Sequence, residues 1–161
     1  MHFQYYQSPI GEVLVSASDH SLRQIAFVED EAHPKANPNE VTQYVVRQLS
    51  AYFKHQEPDK IIHLVKKGSQ FQRRVWEMVS HIPAGKTTSY QQIAIELGGI
   101  NQTRAVARAL ATNPILLLIP CHRVTGKDGQ LRGYAGSMSR KHWLLLFETK
   151  QVEQLTLFPV W

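Results

Sequence analysis

Apolar and polar residues alternate through the first part of the chain, which is the pattern of strands with one buried face. The alternation covers residues 2–28, with Gly11 at a first turn and Asp19-His20-Ser21 at a second. A last run, Leu22 to Val28, follows the second turn. The pattern predicts that an antiparallel sheet opens the protein.

The spacing of apolar residues becomes helical after an acidic stretch rich in Pro and Asn, residues 29–40, which we interpret as an exposed loop. Apolar residues recur at helical spacing over residues 41–54, so we expect an amphipathic helix that lies on the sheet. Residues 60–65 predict one more strand. The charged stretch 66–69 indicates a junction, and we place a domain boundary between residues 66 and 67.

Pro and Gly separate the helices that the second half predicts. A helix with Phe71, Val75 and Val79 on one face is expected to end at Pro83. Ser89 then caps a short helix, with Gln92 at the third position of a capping box.

A second short helix follows a glycine turn. Gly98-Gly99 ends the helix that Ser89 starts, and Asn101 is expected to cap the next one, residues 102–111. Two short helices at this spacing are typical of a helix-turn-helix.

The second of these helices has an inner and an outer face. The inner face is expected to hold Thr103, Val106 and Leu110, and the outer face Arg104, Ala107, Arg108 and Ala111. Small residues allow a helix to approach a groove closely, and the two arginines are suited to phosphates. An ordinary solvated helix face is the alternative.

The chain contains one cysteine, Cys121, directly after Pro120. The apolar residues 115–119 before it predict a buried strand that Pro120 ends. A free thiol has a pKa of about 8.5, so a sulfur nucleophile needs a basic neighbour, and His122 follows directly. Neighbouring residues on a strand point to opposite faces, so His122 can serve Cys121 only if the backbone turns or a water bridges them. Cys121 is therefore either a nucleophile or a small buried hydrophobic residue.

Charge is distributed unevenly along the chain. The formal net charge is +5, but residues 1–65 hold five Lys or Arg and eight Asp or Glu, whereas residues 66–161 hold thirteen and five. A basic second half indicates an anionic partner such as nucleic acid, with solvated charge as the alternative.

Other classes of protein find little support. A single cysteine suits a reducing compartment, and there is neither a signal peptide nor an apolar run long enough for a membrane span, so we expect a cytoplasmic protein with no membrane partner. Gly85-Lys86-Thr87 is no phosphate-binding loop, because Ser80 stands where that loop has glycine. The eight histidines are scattered and no loop typical of cofactor binding follows a strand, so we expect neither metal nor cofactor.

Short motifs along the second half resemble the O6-alkylguanine-DNA alkyltransferase family in order and spacing. They are Pro120-Cys121-His122-Arg123-Val124, Phe71-Gln72, Val75-Trp76, Ile82-Pro83-Ala84-Gly85, Ser89-Tyr90, Arg104-Ala105-Val106, Asn113-Pro114, Gly133-Tyr134-Ala135-Gly136 and Trp143-Leu144-Leu145 with Glu148.

The resemblance implies an α/β (α+β) fold. A small ribonuclease H-like sheet with a helix, residues 1–66, would pack on a mostly helical DNA-binding and alkyl-acceptor domain, residues 67–150. It further implies a monomeric, nucleoid-associated repair protein that flips O6-methylguanine, and O4-methylthymine, out of double-stranded DNA. The alkyl group would pass irreversibly to Cys121, once per molecule.

The resemblance also implies roles for residues at the DNA. Arg104 would fill the gap left by the flipped base, Tyr90 would crowd the 3′ phosphate, and Asn113 would brace the turn behind the second helix. The full implied set of DNA-binding residues is Tyr90, Arg104, Ala105, Ala107, Arg108, Asn113 and Arg123.

The implied chemistry links Cys121, a water, His122 and Glu148. Glu148 would orient His122, which would take the thiol proton, and Tyr134 would donate to guanine N3. Backbone groups around Val124, Ala135 and Gly136 would line the substrate pocket with Cys121. Packing roles are the alternative for Tyr134 and Glu148.

Three residues depart from the family pattern. Ala107 and Ser137 stand where glycine is common, and Ala135 offers no hydroxyl to the substrate oxygen. The zinc-binding N-terminal cysteine of some relatives is absent. A DNA-binding module without transfer activity is the runner-up, but such proteins carry tryptophan at the position of Cys121. A generic helix-turn-helix regulator would explain neither the cysteine motif nor Tyr134.

The C-terminal tail, residues 151–161, holds a second resemblance. Gln154-Leu155-Thr156-Leu157-Phe158 is similar to the peptide with which bacterial repair proteins bind the sliding clamp. We take Gln154, Leu155, Leu157 and Phe158 as a candidate clamp-binding set. Packing of the same residues on the protein's own core is the alternative.

Overall fold

The structure, a computed structural model, describes residues 1–29 and 32–150. The described strands and helices confirm a mixed α/β protein with an antiparallel sheet. In chain order they are β1 (His2–Ser8), β2 (Gly11–Ala17), β3 (Leu22–Phe27), α1 (Glu40–Phe53), α2 (Gln70–Ser80), β4 (Thr88–Ser89), α3 (Tyr90–Glu96), α4 (Thr103–Ala111), β5 (Val124–Thr125) and α5 (Met138–Glu148). Within this described part, no helix has the length and apolar character needed to span a membrane.

The chain divides into two units between residues 67 and 68, next to the boundary expected from the sequence. The first unit is formed by residues 1–67, and residues 114–118 return to it from the second half. Local patterns do not reveal such a return, because it depends on a pairing between residues far apart in sequence.

The first unit is a three-stranded sheet in the order β1-β2-β3, with both pairs antiparallel. Val13 pairs with Tyr6 on one side and Phe27 on the other, and it is fully buried with Val15. Helix α1 packs on β1 and β2 and buries Val45. Each such side chain contributes about 1.5–3 kcal/mol when taken from water.

A capping box starts α1. Asn39 accepts the amide N–H of Thr42 at 2.9 Å, and the Thr42 hydroxyl accepts the amide N–H of Asn39 at 3.0 Å. The helix expected over residues 41–54 is confirmed, with each end one residue earlier, as α1 (Glu40–Phe53).

Two predicted strands are wrong. Within residues 60–65 only Ile62–Leu64 is regular, as a 3₁₀ helix, and only Val65 forms a bridge, to Leu22. Residues 115–119 are buried as expected, but only Ile115 bridges, to Ile25. Leu117 has a φ of 70°, and the Leu118 amide donates to the Leu116 carbonyl at 2.8 Å. This tight turn replaces the ladder, which apolar content alone cannot predict.

Helices α2, α3 and α4 form the core of the second unit. The indole of Trp76 in α2 is buried and donates to the Ala109 carbonyl at 2.8 Å. Gly98 and Gly99, with φ values of 132° and 156°, make the turn between α3 and α4. The helix-turn-helix predicted from the sequence is therefore present in the structure.

The starts of both short helices differ in detail from the prediction. Ser89 caps α3 by accepting the Gln92 amide N–H at 3.0 Å, but the Gln92 side chain donates to Glu96 instead of closing a capping box. Asn101 is not the cap of α4: it lies inside a 3₁₀ turn, Ile100–Gln102, that leads directly into the helix. A residue already in a helical turn lacks the extended conformation that a cap requires.

Candidate active site

Cys121 begins a 3₁₀ turn, Cys121–Arg123, and is 5% exposed. The Asn113 side-chain amide donates to its sulfur at 3.2 Å and to the Ile119 carbonyl at 3.0 Å. Asn113 is itself buried, just after α4. Asn113 therefore links the end of α4 to the segment that carries Cys121.

The backbone turns at Cys121, which is one of the two conditions under which His122 could serve the thiol. His122 lies within the 3₁₀ turn rather than on a strand, and its side chain is fully buried. Its Nε2 lies 2.6 Å from Oε1 of Glu148, whose side chain is 2% exposed. The Tyr134 ring stands edge-on to the imidazole, with 6.1 Å between ring centroids.

Arg123, predicted as a DNA contact, is buried beside Glu148. Its side chain is 8% exposed, and its Nε and Nη2 donate to Glu148 at 3.0 and 2.8 Å. Its Nη1 donates to the Ile82 carbonyl at 2.6 Å. A guanidinium held in this way supports Glu148 and is not presented to a DNA backbone.

Burial controls the acceptor thiol. It raises the pKa of Cys121 to about 11, against the Asn113 hydrogen bond and the positive charge of Lys141, which lower the pKa. The thiol is therefore protonated at rest, and a base must remove its proton before the sulfur can react.

The next residue, His122, forms a buried pair with Glu148. Burial lowers the pKa of His122, while Glu148 opposes the shift, so the imidazole rests unprotonated. Burial alone would raise the pKa of Glu148, but the charges and hydrogen bonds of His122 and Arg123 outweigh it and hold that pKa well below its usual range. The site thus combines a neutral imidazole with an ionised carboxylate.

Acid should destabilise this arrangement. Both pKa values lie below their ordinary values of 6.5 for His122 and 4.5 for Glu148, so the unfolded chain binds more protons than the folded chain. The free energy of unfolding should therefore fall as pH falls, first below about 6.5 and again below about 4.5. Thermal melts of the wild type and Glu148→Gln across this range check the sign. The variant should keep the first decrease and show a smaller second one, because Asp19, whose pKa the His2 hydrogen bond also lowers, remains. Equal slopes below 4.5 would contradict the assignment.

A cavity of about 220 Å³ opens onto the thiol. Its lining combines residues from α3, α4, the acceptor turn and the loop before α5, namely Tyr90, Leu110, Ala111, Cys121, Gly133, Tyr134 and Ala135. Two predicted pocket residues, Val124 and Gly136, are buried rather than in the lining. Their carbonyls accept hydrogen bonds from Lys141 at 2.7 Å and from Arg140 at 3.3 Å.

The outer face of α4 adjoins the cavity. Arg104, Ala105 and Arg108 are exposed, and Ala107 is half-buried, whereas Val106 is fully buried. Ala109 is buried as well, although the sequence did not place it on the inner face. One helix therefore carries an exposed basic face and ends at the pocket.

Comparison with known proteins decides the family. Residues 1–62 match the ribonuclease-like domain, and residues 70–150 the DNA-binding domain, of 6-O-methylguanine DNA methyltransferase. The chain belongs to the 6-O-methylguanine DNA methyltransferase family.

Individual relatives extend over nearly the whole chain. The methylated-DNA–protein-cysteine methyltransferase of Mycolicibacterium paratuberculosis is 38% identical, with 98% of this chain and 99% of the relative covered. The protein of that name from Methanosarcina barkeri is 34% identical, with 92% and 97% covered. The crystal structure of Mycobacterium tuberculosis OGT in complex with DNA has a TM-score of 0.78 at 35% identity, covering 98% of this chain and 99% of the other.

Lys141 is the residue of this family member that sequence reasoning missed. It is fully buried in α5, and its Nζ also donates to the Arg132 carbonyl at 3.1 Å and lies 5.8 Å from the Tyr90 ring centroid. Burial lowers its pKa to about 8, against the influence of Cys121. The available signal was helical spacing, because Lys141 shares a face with Leu144 and Glu148.

The family departures have local consequences. Ser137 has a φ of 86°, a conformation that glycine adopts more easily, yet its hydroxyl accepts the Arg140 amide N–H at 3.3 Å and so caps α5. Ala135 lines the cavity without a polar side chain. The proposed clamp-binding residues Gln154, Leu155, Leu157 and Phe158 lie outside the described residues.

Proposed function

We propose that this chain repairs O6-alkylguanine in double-stranded DNA by transferring the alkyl group to its own Cys121. The observation that carries the proposal is the single thiol at a cavity backed by the His122–Glu148 pair. We propose that it works in the cytoplasm at the nucleoid, where its DNA substrate lies and where a thiol remains reduced. We further propose that it acts as a monomer and uses no metal or cofactor.

DNA binding would use the exposed face of α4. The alkyl group on guanine O6 is shielded inside the base stack, so the nucleotide must leave the duplex to reach the cavity. Arg104 would fill the gap, with Ala105, Ala107 and Arg108 against the groove. Tyr90, which lines the cavity at the start of α3, would crowd the 3′ phosphate.

The transfer itself is a displacement at the alkyl carbon. The Cys121 proton passes through a water to His122, the sulfur–carbon bond forms, and the carbon–O6 bond breaks with its electron pair left on guanine. Tyr134 donates a hydrogen bond to N3 of the leaving base. Guanine then takes up one proton from solvent and His122 releases the proton that it took from Cys121, so the protons balance. A thioether is stable, and the chain has no second cysteine to accept the group, so each molecule acts once.

A binding module that recognises alkylated bases without transfer is the second candidate. The thiol in the cavity argues against it, because such a module has no need of a nucleophile or of a buried base beside it. The intact mass of the protein after incubation with O6-methylguanine DNA separates the two functions.

We also propose that the tail binds the bacterial sliding clamp, which would deliver a single-use protein to newly replicated DNA. The proposal rests on the motif Gln154-Leu155-Thr156-Leu157-Phe158, whose apolar side chains suit a groove on a partner.

A peptide of residues 151–161 should bind the clamp of the source organism, and the same peptide with Leu157→Ala and Phe158→Ala should not. Protein truncated after Lys150 should lose clamp affinity and keep its melting temperature. A lower melting temperature with unchanged clamp affinity would instead show that the tail is structural.

A further inference from the structure

Each guanidinium nitrogen of the buried Arg123 has a hydrogen-bond partner within the protein. Its three guanidinium nitrogens all bond within the second unit: Nε and Nη2 to the Glu148 carboxylate, and Nη1 to the Ile82 carbonyl. The side chain is 8% exposed. The groups that Arg123 binds, above all the Glu148 carboxylate, therefore indicate its function.

Arg123 and His122 share one carboxylate oxygen. Oε1 of Glu148 lies 2.6 Å from His122 Nε2 and 2.8 Å from Arg123 Nη2. Oε2 accepts from Arg123 Nε at 3.0 Å and from the Gly85 amide at 3.4 Å. A side-on guanidinium fixes a carboxylate in its own plane, so Arg123 determines where Oε1 meets the imidazole.

The charges show what Arg123 adds beyond geometry. With neutral His122, the buried group of Arg123 and Glu148 carries no net charge. Without Arg123, the Glu148 carboxylate would be left with His122 as its nearest counter-ion, and a buried carboxylate favours a protonated imidazole beside it.

The other groups near His122 do not take over this task. Lys141 of α5 is a second cation that disfavours the imidazolium, and Glu148 is the acid that favours it. Cys121 adjoins on the same turn, and Tyr134 presents its ring edge. Of the two cations near His122, Arg123 is the one that forms a described ion pair with the Glu148 carboxylate.

We propose that Arg123 is a positioning residue for alkyl transfer: by fixing and neutralising Glu148, it keeps the His122 ring oriented and unprotonated so that it can accept the Cys121 proton. This inference rests on the proposed transfer through His122. The lowered pKa of His122, caused first by burial, with Arg123 and Lys141 acting in the same direction, agrees with it.

The test compares Arg123→Gln and Arg123→Lys with wild type and with Arg74→Gln, which removes one exposed arginine from α2. Transfer rates are measured against pH on two substrates, free O6-benzylguanine and methylated duplex. In Arg123→Gln the unneutralised Glu148 should raise the pKa of His122, so the pH at which the rate falls on the acid side should rise by roughly one unit. Below that pH the variant should react roughly tenfold more slowly than wild type on both substrates, because a pKa higher by one unit reduces the fraction of neutral imidazole tenfold.

Arg123→Lys and Arg74→Gln separate charge from geometry. Lysine keeps the positive charge but not the two parallel hydrogen bonds of the guanidinium. The acid side of the pH–rate profile of Arg123→Lys should therefore stay near that of wild type. Its maximal rate should fall equally on both substrates. Arg74→Gln should react with free O6-benzylguanine as wild type does. If Arg123→Gln does not fold, the plateau and acid limb of Arg123→Lys carry the test.

Three results would overturn the inference. A loss confined to duplex DNA, with weaker DNA binding, would make Arg123 a DNA contact. An unchanged acid limb in folded Arg123→Gln would leave Arg123 a structural role only. A wild-type plateau in Arg123→Lys would show that the guanidinium geometry does not position His122. Failure of the proposed function looks different, because wild-type protein would then gain no alkyl group on Cys121.

Discussion

Cys121→Ala should bind methylated duplex DNA and transfer nothing. Cys121 is the only cysteine in the chain, so its removal leaves no sulfur that could become a thiolate. The exposed face of α4 is untouched, and DNA affinity should stay within about twofold of wild type. The measurement pairs a binding titration on O6-methylguanine duplex with the methyl content of the recovered DNA.

Cys121→Ser is the matched control. Its hydroxyl can still accept the Asn113 amide that donates to the Cys121 sulfur, so it keeps that hydrogen bond while removing the nucleophile. The free energy of unfolding of Cys121→Ser should therefore be about 1 kcal/mol higher than that of Cys121→Ala. Both variants should be inactive. Methyl loss from DNA incubated with either variant would rule out Cys121 as the acceptor.

Arg104→Ala should slow repair of duplex DNA far more than reaction with free O6-benzylguanine. Arg104 is exposed on the face of α4 that we assign to the groove, and the free base needs no flipping. Unstacking a base costs a few kcal/mol, and each 1.4 kcal/mol no longer recovered is a factor of ten in rate. We expect a loss of about 10–100-fold on the duplex, measured in single-turnover reactions at saturating DNA.

Arg108→Ala, one helical turn further along α4, controls for the loss of a positive charge. This variant should bind DNA more weakly, but its single-turnover rate at saturating DNA should equal that of wild type. The reason is that a phosphate contact positions the protein without replacing a base. If Arg104→Ala loses the same factor on duplex and free base, Arg104 takes no part in flipping.

Local patterns predicted most elements of this fold because the physics behind them is local. The alternation over residues 2–28, the helix over residues 41–54 and the glycine turn after α3 each follow from a few neighbouring residues. Residues 115–119 did not follow their pattern, because pairing with β3 and the left-handed Leu117 are set by distant parts of the chain. An apolar run indicates burial, not conformation.

The sequence indicated which residues belong to the site but not how the backbone arranges them. The sequence could not show whether His122 could serve Cys121, because that depends on the 3₁₀ turn after Pro120. The family resemblance placed Arg123 among the DNA contacts, whereas the structure pairs it with a carboxylate 25 residues away. Lys141 escaped notice because a buried lysine is uncommon and no short motif marks it.

The intact mass of wild-type protein after incubation with excess O6-methylguanine duplex tests the central claim most directly. The account predicts that every molecule gains one methyl group in place of the thiol proton, that the group maps to the peptide containing Cys121, and that the amount of repaired DNA equals the amount of protein. Unmodified protein together with repaired DNA, repair exceeding one base per molecule, or a methyl group on any other residue would contradict it.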